Sequence, residues 1–406
     1  MMYRHLALAG LAVALAAVPS SAQVGVPAVR DALGSTTGAV RGVLNPALDD
    51  LAQLPDRAQD LARQRIERID RLVRRQREAI ELDPEGQPAR KGVLLVMDPA
   101  PDLAQRLAGT GFRVAATESL GELGLSVAQV EVPEGLSLDT ARKRLVQQVP
   151  GAQVTADNIL FPQGTTLSGR NATSGSARTP FVAAPVGVID SGAAGTLEEQ
   201  KGFARGGPFP ANHGSAIVSL LRGAGVRRVL VADVYGTDPA GGNALAIARA
   251  FDWLVGRKVR VIGISLVGPP NPVLQRAVAG AQKQGVTIIA PVGNDGPAAP
   301  PAYPASFNGV LAVTGVDARN RVLIEAGRAL HLDYAAPGAD ILASDAKGQR
   351  RRLRGTSFAV PLVAARAAAA QGSVVSALDR EAVDLGPKGP DSRYGRGLIC
   401  AVCLTP

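Results

Sequence analysis

The feature that most constrains the fold is a regular alternation of apolar, strand-length runs with helical segments after residue 181. The helical segments, at residues 212–225, 243–257 and 271–285, each open on asparagine and repeat apolar residues at a helical period. Apolar runs without polar alternation are typical of strands buried on both faces. The pattern therefore predicts an α/β domain over residues 181–406, with a parallel sheet flanked by helices on both faces. The apolar runs lie at residues 184–190, 226–234, 259–267, 286–294 and 309–317.

Polar side chains occur where several of these elements meet the predicted edge of the sheet. Asp190, Ser265 and Asn294 lie at the ends of three apolar runs, while His213 and Ser357 lie at the starts of two helices. Ligands of open parallel sheets bind beyond the carboxyl ends of the strands. We therefore expect these five residues to lie close together and to form the functional site.

The residue types are those of nucleophilic catalysis. A serine hydroxyl is a weak nucleophile until a base removes its proton, and of the three histidines His213 is the one placed to act on Ser357. Asp190 would hold the imidazole in one tautomer and stabilise its cation. We therefore predict Asp190, His213 and Ser357 as catalytic residues. The Asn294 side chain and the Ser357 backbone N–H would form the oxyanion hole.

Four segments carry a family resemblance. They are VIDSG at Asp190, NHGSAIVSLL at His213, APVGNDG at Asn294 and GTSFAVPLVA at Ser357. In this order they resemble the signature segments of the subtilisin-like serine proteases, the subtilases. The resemblance covers residues 181–403. It implies a subtilisin-like fold and serine endopeptidase activity on a protein or peptide substrate.

The resemblance also implies the walls of a primary specificity pocket. Neither wall segment carries an acid that would hold a basic side chain, which favours cleavage after medium-sized apolar residues such as Leu, Met or Phe. The family's calcium-binding loops are not recognisable in this sequence, so no metal and no other cofactor is expected. The wall residues would be Ser265, Leu266, Val267, Ala290, Pro291, Val292 and Gly293.

A smaller unit is predicted over residues 92–162. Its elements follow the order β-α-β-β-α-β, which is that of the ferredoxin-like α+β motif. In this order the unit resembles the subtilase propeptide, which implies an intramolecular chaperone and inhibitor of the catalytic domain. The unit contains more acidic than basic residues and residues 181–406 more basic than acidic ones, which favours their association. Residues 163–180, rich in Gly, Ser and Thr, are predicted to be an exposed, cleavable linker.

The first 91 residues divide into two parts. Residues 1–22 have a positive start, an apolar stretch too short to span a bilayer and small residues before Gln23, so they are predicted to be a signal peptide. The protein is therefore expected to be exported, either to a periplasm or into the medium. Residues 23–91 are expected to have little order apart from a basic amphipathic helix over 55–82. Such helices are typical of segments that bind a membrane surface or a protein partner, although arginine runs are more often solvated faces.

Other classes of function were weighed against the protease. A catalytically degenerate binding or regulatory module of the same fold stays an alternative. A lipase or esterase is disfavoured because Ser357 lacks the Gly-x-Ser-x-Gly elbow. Nucleic-acid binding is disfavoured despite the net charge of +9, because only 3% of the residues are aromatic and no nucleic-acid module is recognisable. The two cysteines, Cys400 and Cys403, are compatible with a local disulfide or with two buried thiols.

Overall fold

A computed structural model describes residues 56–162, 164–167 and 181–400. The predicted signal peptide, the rest of the chain before residue 56 and most of the predicted linker lie outside these residues. The first element is helix α1 (Asp56–Arg75), which buries the apolar side chains on one of its faces. These buried residues are Ala58, Ala62, Ile66 and Ile69.

The expectation of a helix over 55–82 is wrong at its C-terminal end. Residues Ile80–Leu82 form strand β1, which pairs antiparallel with the start of β2 (Pro88–Met97). A turn around Asp83 joins the two strands, and the Asp83 side chain accepts a hydrogen bond from the Gln87 backbone N–H at 2.7 Å. Ile80 is buried as expected, but it lies in this strand and not in the last turn of a helix.

The unit that follows has the expected ferredoxin-like order. Its antiparallel sheet runs in the order β1-β2-β4-β3, with β5 on the other edge of β2. Two helices cover one face through leucine side chains such as Leu103 and Leu145. The elements after β2 are α2 (Leu103–Arg106), β3 (Arg113–Leu120), β4 (Leu125–Glu131), α3 (Leu138–Gln148) and β5 (Gln153–Asn158).

Two short strands leave this unit and are called here the crossing segment. They are β6 (Phe161–Pro162) and β7 (Thr165–Leu167). Residues 165–167 were expected to be linker and are instead paired with another strand, as described below. Gln163 and residues 168–180 of the predicted linker lie outside the described residues.

A seven-stranded parallel sheet forms the centre of the larger unit. The sheet order is β15-β14-β13-β11-β8-β10-β9, and every neighbouring pair is parallel. Apart from the edge strand β9, which is polar and partly exposed, its strands are largely buried, as their continuous apolar sequences predict. They are β8 (Val186–Asp190), β9 (Glu199–Gly202), β10 (Val229–Asp233), β11 (Val261–Ile264), β13 (Thr287–Pro291), β14 (Leu311–Val316) and β15 (Tyr334–Pro337).

Helices cover both faces of this sheet, which confirms the predicted α/β class. Helices α5 and α6 pack on one face, and α4 and α7 on the other. Asparagine side chains cap α5 and α6: Asn243 accepts from the Ala246 N–H at 2.9 Å, and Asn271 accepts from the Val273 N–H at 3.0 Å. The helices are α4 (Asn212–Gly223), α5 (Ala244–Gly256), α6 (Pro272–Lys283), α7 (Val360–Ala369) and α8 (Val374–Glu381).

Three short strands and the C-terminal segment complete the described chain. Strand β12 (Leu266–Val267) follows β11, and β16 (Ala339–Ser344) forms a hairpin with β17 (Arg350–Arg354). Cys400 is disulfide-bonded, and the sequence has one other cysteine, Cys403, outside the described residues. Within the described ranges no single helix is long and apolar enough to cross a bilayer, and one sharply bent pair, Thr356–Ala369 with Val374–Glu381, meets the length and composition test together.

The ferredoxin-like sheet packs its second face on α5 and α6. Leu95, Met97 and Val127 of that sheet belong to the same apolar cluster as Leu245 and Leu274 of these helices. Burial of this apolar surface is the main source of stability at such a contact.

Polar groups of the ferredoxin-like unit also form hydrogen bonds with the first residues of α5 and with the residue that caps α6. The Asp157 carboxylate accepts a hydrogen bond from the Leu245 N–H at 3.1 Å, and Asn271 donates to Asn158 at 2.9 Å. Glu118 forms a half-buried ion pair with Arg249 of α5. The contact between the two units is therefore apolar at its centre and hydrogen-bonded where the two helices begin.

Candidate active site

An aspartate and a histidine lie in direct contact at the end of β8. The Asp190 side chain is fully buried, and both of its oxygens lie 2.9 Å from Nδ1 of His213 in the first turn of α4. Ser191 holds the same carboxylate through its backbone N–H at 2.7 Å and its hydroxyl at 3.0 Å. These bonds fix the carboxylate, so Nδ1 is the ring nitrogen that carries the proton and Nε2 is left as the basic atom.

A close backbone approach sets the position of His213. A Cβ at Gly214 would lie 2.2 Å from the Ser191 carbonyl oxygen, so only glycine permits α4 to start here. The Gly214 N–H donates to the Ser191 hydroxyl at 3.0 Å. The other described histidine, His331, lies elsewhere and donates from Nε2 to the Val310 carbonyl at 2.8 Å.

Ser357 lies in a 3-10 turn, Thr356–Phe358, directly before α7. Its hydroxyl donates to the Ser265 carbonyl at 3.0 Å, and the Ser265 hydroxyl donates back to the Ser357 carbonyl at 3.2 Å. The ring of Phe358 lies 5.4 Å from the His213 ring, centroid to centroid, which places the two segments side by side. The buried Nε2 of His213 has no hydrogen-bond partner within the described ranges.

Asn294 is held by the residue that precedes Ser357. Its Oδ1 accepts a hydrogen bond from the Thr356 N–H at 3.0 Å. The side-chain amide is planar, so this bond fixes the direction in which the Nδ2 group projects. Asn294 also lines the large cavity described next. The five residues expected to meet at the sheet edge are therefore brought together.

A cavity of about 1040 Å³ adjoins the site at Asn294. Of the seven expected pocket residues, Val267 lines it, and Val267 also faces Gly293, where a Cβ would lie 3.5 Å from its side chain. Leu266 contributes main-chain pairing, as shown below. Ala290 lies within β13 and is buried, with no surface on the cavity. The remaining members, Ser265, Pro291, Val292 and Gly293, do not line the cavity either.

The crossing segment runs past the site and pairs with a strand on each side of it. Phe161 and Pro162 pair antiparallel with Val267 and Leu266. Further along, Thr165 pairs antiparallel with Arg354. Gly164, between the two paired strands, lies beside the segment that carries Ser357, since a Cβ there would lie 2.5 Å from the Phe358 ring.

A half-buried tyrosine supports the backbone where the chain enters the crossing segment. The Tyr235 hydroxyl donates to the Leu160 carbonyl at 2.6 Å. Burial, together with the charges of Asp190 and Asp233, raises the pKa of Tyr235 well above its ordinary value. The hydroxyl therefore stays protonated and keeps donating this hydrogen bond at any pH near neutrality.

None of the four acidic residues that line the cavity, Asp83, Glu85, Asp295 and Glu325, was among the predicted site residues, and two of them lie close to the predicted site. Asp295 follows Asn294 directly and pairs with Arg65 and Arg68 of α1, while Glu325 pairs with Arg354 at 2.7 Å. The position of Asp295 after a strand-end asparagine is the one signal in the sequence that could have pointed to it. Within the described residues, no three His, Cys, Asp or Glu side chains are grouped as metal ligands.

Comparison with known proteins agrees with this geometry. Residues 208–397, which contain His213, Asn294 and Ser357, match the model of the Subtilase family. Residues 208–397 are therefore similar to the subtilases. The chain is 29% identical over 167 residues to the Minor extracellular protease Epr of Bacillus subtilis (strain 168), a match of 39% of this chain and 26% of that protein.

A second curated relative and a solved structure extend the comparison. Subtilisin BL of Lederbergia lenta is 30% identical over 181 residues, which cover 42% of this chain and 65% of that protein. The chain thus spans from about a quarter to just under two thirds of these two relatives. Fervidolysin from Fervidobacterium pennivorans, a keratinolytic enzyme related to subtilisin, has a TM-score of 0.64 at 16% identity over 80% of this chain and 62% of that one. This last likeness shows the subtilisin-like fold.

Proposed function

We propose that the chain is an exported serine endopeptidase that uses Asp190, His213 and Ser357 and processes itself. The observation that carries the proposal is the buried Asp190–His213 pair beside Ser357, with a segment of the same chain running past it in antiparallel pairing. Export is supported by the signal-like sequence of residues 1–22 and agrees with the extracellular relative named above.

Hydrolysis would proceed by acyl transfer to Ser357. The Ser357 hydroxyl turns from the Ser265 carbonyl to Nε2 of His213, gives its proton to that nitrogen and attacks the substrate carbonyl carbon. The Asn294 Nδ2 group and the Ser357 N–H donate to the oxyanion that forms. When the peptide bond breaks, the leaving amine takes the proton from His213. A water molecule then hydrolyses the acyl-enzyme by the same route, and Asp190 stabilises the imidazolium in both stages.

Self-processing is supported by the path of the crossing segment. A Cβ on Gly164 would lie 2.5 Å from the ring of Phe358, the residue after Ser357. Pairing on either side holds Phe161–Pro162 and Thr165–Leu167 in extended form, as a substrate is held in a sheet-like cleft. The bond that precedes Gly164 is therefore the proposed cleavage site, and the product would begin at Gly164.

After the cut, the N-terminal part would stay bound as an inhibitor. The contact of its sheet with α5 and α6, and the pairing of β6 with β12, do not depend on an intact bond at Gly164. The apolar side of α1 is buried within the protein, which favours a role in this intramolecular contact over attachment to a membrane surface.

Processing of purified protein tests the proposal. The wild type should convert to a product whose N-terminus, read by mass spectrometry, is Gly164, and a fluorophosphonate probe should label Ser357. The Ser357→Ala protein should stay uncut and unlabelled, whereas Ser376→Ala, which changes an exposed serine bonded to Ser373 on α8, should behave as wild type. Normal processing of Ser357→Ala, with no labelling of the wild type, would favour the binding or regulatory module instead.

A further inference from the structure

Helix α1 makes an ion-paired contact with the residue next to Asn294. Arg65 Nε lies 3.3 Å from one oxygen of Asp295, and Arg68 Nη2 lies 2.5 Å from the other. The Asp295 side chain is only 14% exposed and that of Arg65 only 20%. Partly buried charges hold each other more firmly than surface pairs, because water competes less for them.

An apolar contact lies beside these ion pairs. A Cβ on Gly296 would come within 2.9 Å of the Leu61 side chain, so the helix lies directly against the loop that follows Asn294. Gly296 also has φ +82, a conformation that favours glycine. The loop after Asn294 is therefore shaped to receive α1.

The same helix reaches the crossing segment and the ferredoxin-like unit. Leu72 and Val73 pack in one apolar cluster with Ile159, Phe161 and Ala240. Arg65 Nη2 donates to the Gln87 side chain at 2.8 Å. Helix α1 is therefore held by three parts of the chain at once.

The helix also forms one wall of the 1040 Å³ cavity. Leu61, Arg65 and Arg68 line it from one side, and Val267 and Asn294 line it from another. Burial lowers the pKa of Arg65, and the charge of Asp295 opposes this change. The Arg65 guanidinium is therefore desolvated, and the carboxylate that compensates its charge, Asp295, belongs to the catalytic domain.

We propose that α1 is a second inhibitory element, a clamp that closes the cavity beside Asn294 independently of the crossing segment. This proposal rests on the proposed protease function. The crossing segment blocks Ser357 itself, whereas the α1 clamp covers Asp295 and the cavity next to it. Once the chain is cut at Gly164, the clamp keeps the N-terminal part on the enzyme and delays access of substrate.

The test compares two double variants of the full chain. Arg65→Ala with Arg68→Ala removes both contacts to Asp295. Arg63→Ala with Arg71→Ala removes two arginines from the same helix whose ion-pair partners, Asp60 and Glu67, lie within α1. Each protein is allowed to process, and the delay before peptide hydrolysis reaches its final rate is measured at low and high salt.

The clamp predicts a delay about tenfold shorter in the first variant than in the wild type or in the Arg63/Arg71 control, as expected for loss of a partly buried charge pair. High salt should shorten the delay of the wild type more than that of the first variant. Equal delays in the two double variants would overturn the proposal.

A second readout does not depend on activity. In the uncut Ser357→Ala background, hydrogen exchange of peptides covering residues 294–302 should rise with the Arg65/Arg68 changes and not with the control changes. Raised exchange with an unchanged delay would show that α1 docks without inhibiting, and the clamp would be rejected. Absence of hydrolysis in every protein would remove the protease function and the clamp with it, while the exchange data would still report the docking of α1.

Discussion

Gly164 and Phe358 are in such close contact that a side chain on Gly164 would overlap the phenyl ring. A Cβ there would lie 2.5 Å from one ring atom and 2.9 Å from another, and the backbone has φ +153. Gly164→Val should therefore displace the crossing segment and slow self-processing by about tenfold or more, since small misplacements of a reacting bond are costly.

A matched control separates this overlap from backbone strain. Gly151 has φ +82 and open space around its Cβ position, so Gly151→Val should strain the backbone and leave the rate of processing near that of the wild type. The rate is followed by electrophoresis of purified, refolded protein. Equal slowing by both substitutions would contradict a specific role for Gly164 at the cleavage site.

Two substitutions of Asn294 distinguish its role as an oxyanion donor, through Nδ2, from its hydrogen bond to the Thr356 N–H, through Oδ1. Asn294→Ala should slow peptide hydrolysis by about 100-fold or more, a cost known from other enzymes, subtilisin among them, when one oxyanion donor is lost. Asn294→Asp keeps an oxygen to accept the Thr356 N–H and lacks the Nδ2 donor. It should lose a similar factor in kcat while its thermal unfolding stays close to that of the wild type. A fully active Asn294→Asp enzyme would remove Asn294 from the oxyanion hole.

Much of the large unit could be predicted because its signals are local. Continuous apolar strands and capped helices lie within short windows of sequence, and the polar residues at strand ends converge for a topological reason. The contact between Asp190 and His213 follows from that topology. Their catalytic roles stay predictions until they are tested by mutation.

The contacts of the N-terminal part could not be predicted in the same way. Ile80 continues the helical spacing of Ile69 and Val73, and no Gly or Pro interrupts residues 76–82, so nothing local marks the end of α1. The pairing of Phe161 with Val267 joins residues far apart in sequence through a strand of only two residues. The docking of Arg65 on Asp295 depends equally on a distant partner.

The enzyme is predicted to cleave after apolar residues. Val267 and Ala302 line the cavity next to Asn294, and no wall residue named from the sequence carries a charge. Cleavage of a peptide library by the processed enzyme should be strongest after Leu, Met or Phe. A profile dominated by Lys or Arg would contradict this and would indicate that Asp295, once uncovered by α1, recognises the substrate.

Asp157 should make the contact between the two units depend on pH. Its carboxyl group is fully buried against the start of α5. Burial raises its pKa from 3.8 to about 6, and this rise is opposed by the Leu245 N–H and by the charges of Arg90 and Arg249. The native state therefore binds a proton more tightly than the unfolded chain does. The stability that comes from this proton is fully present below pH 3.8 and is lost as the pH rises through about 6.

The measurement is urea unfolding of the uncut Ser357→Ala protein, with and without Asp157→Asn, between pH 4 and 8. Asparagine does not titrate, so the free energy of unfolding of Asp157→Asn relative to its parent should rise between pH 4 and 7. The change should be on the order of 2–3 kcal/mol, since one pKa unit corresponds to about 1.4 kcal/mol. Any constant cost of burying the asparagine amide shifts both ends of the curve equally and does not affect this slope. A difference that is constant over this range would show that Asp157 has the same pKa in the folded and unfolded protein, and the pH-dependent contact would be excluded.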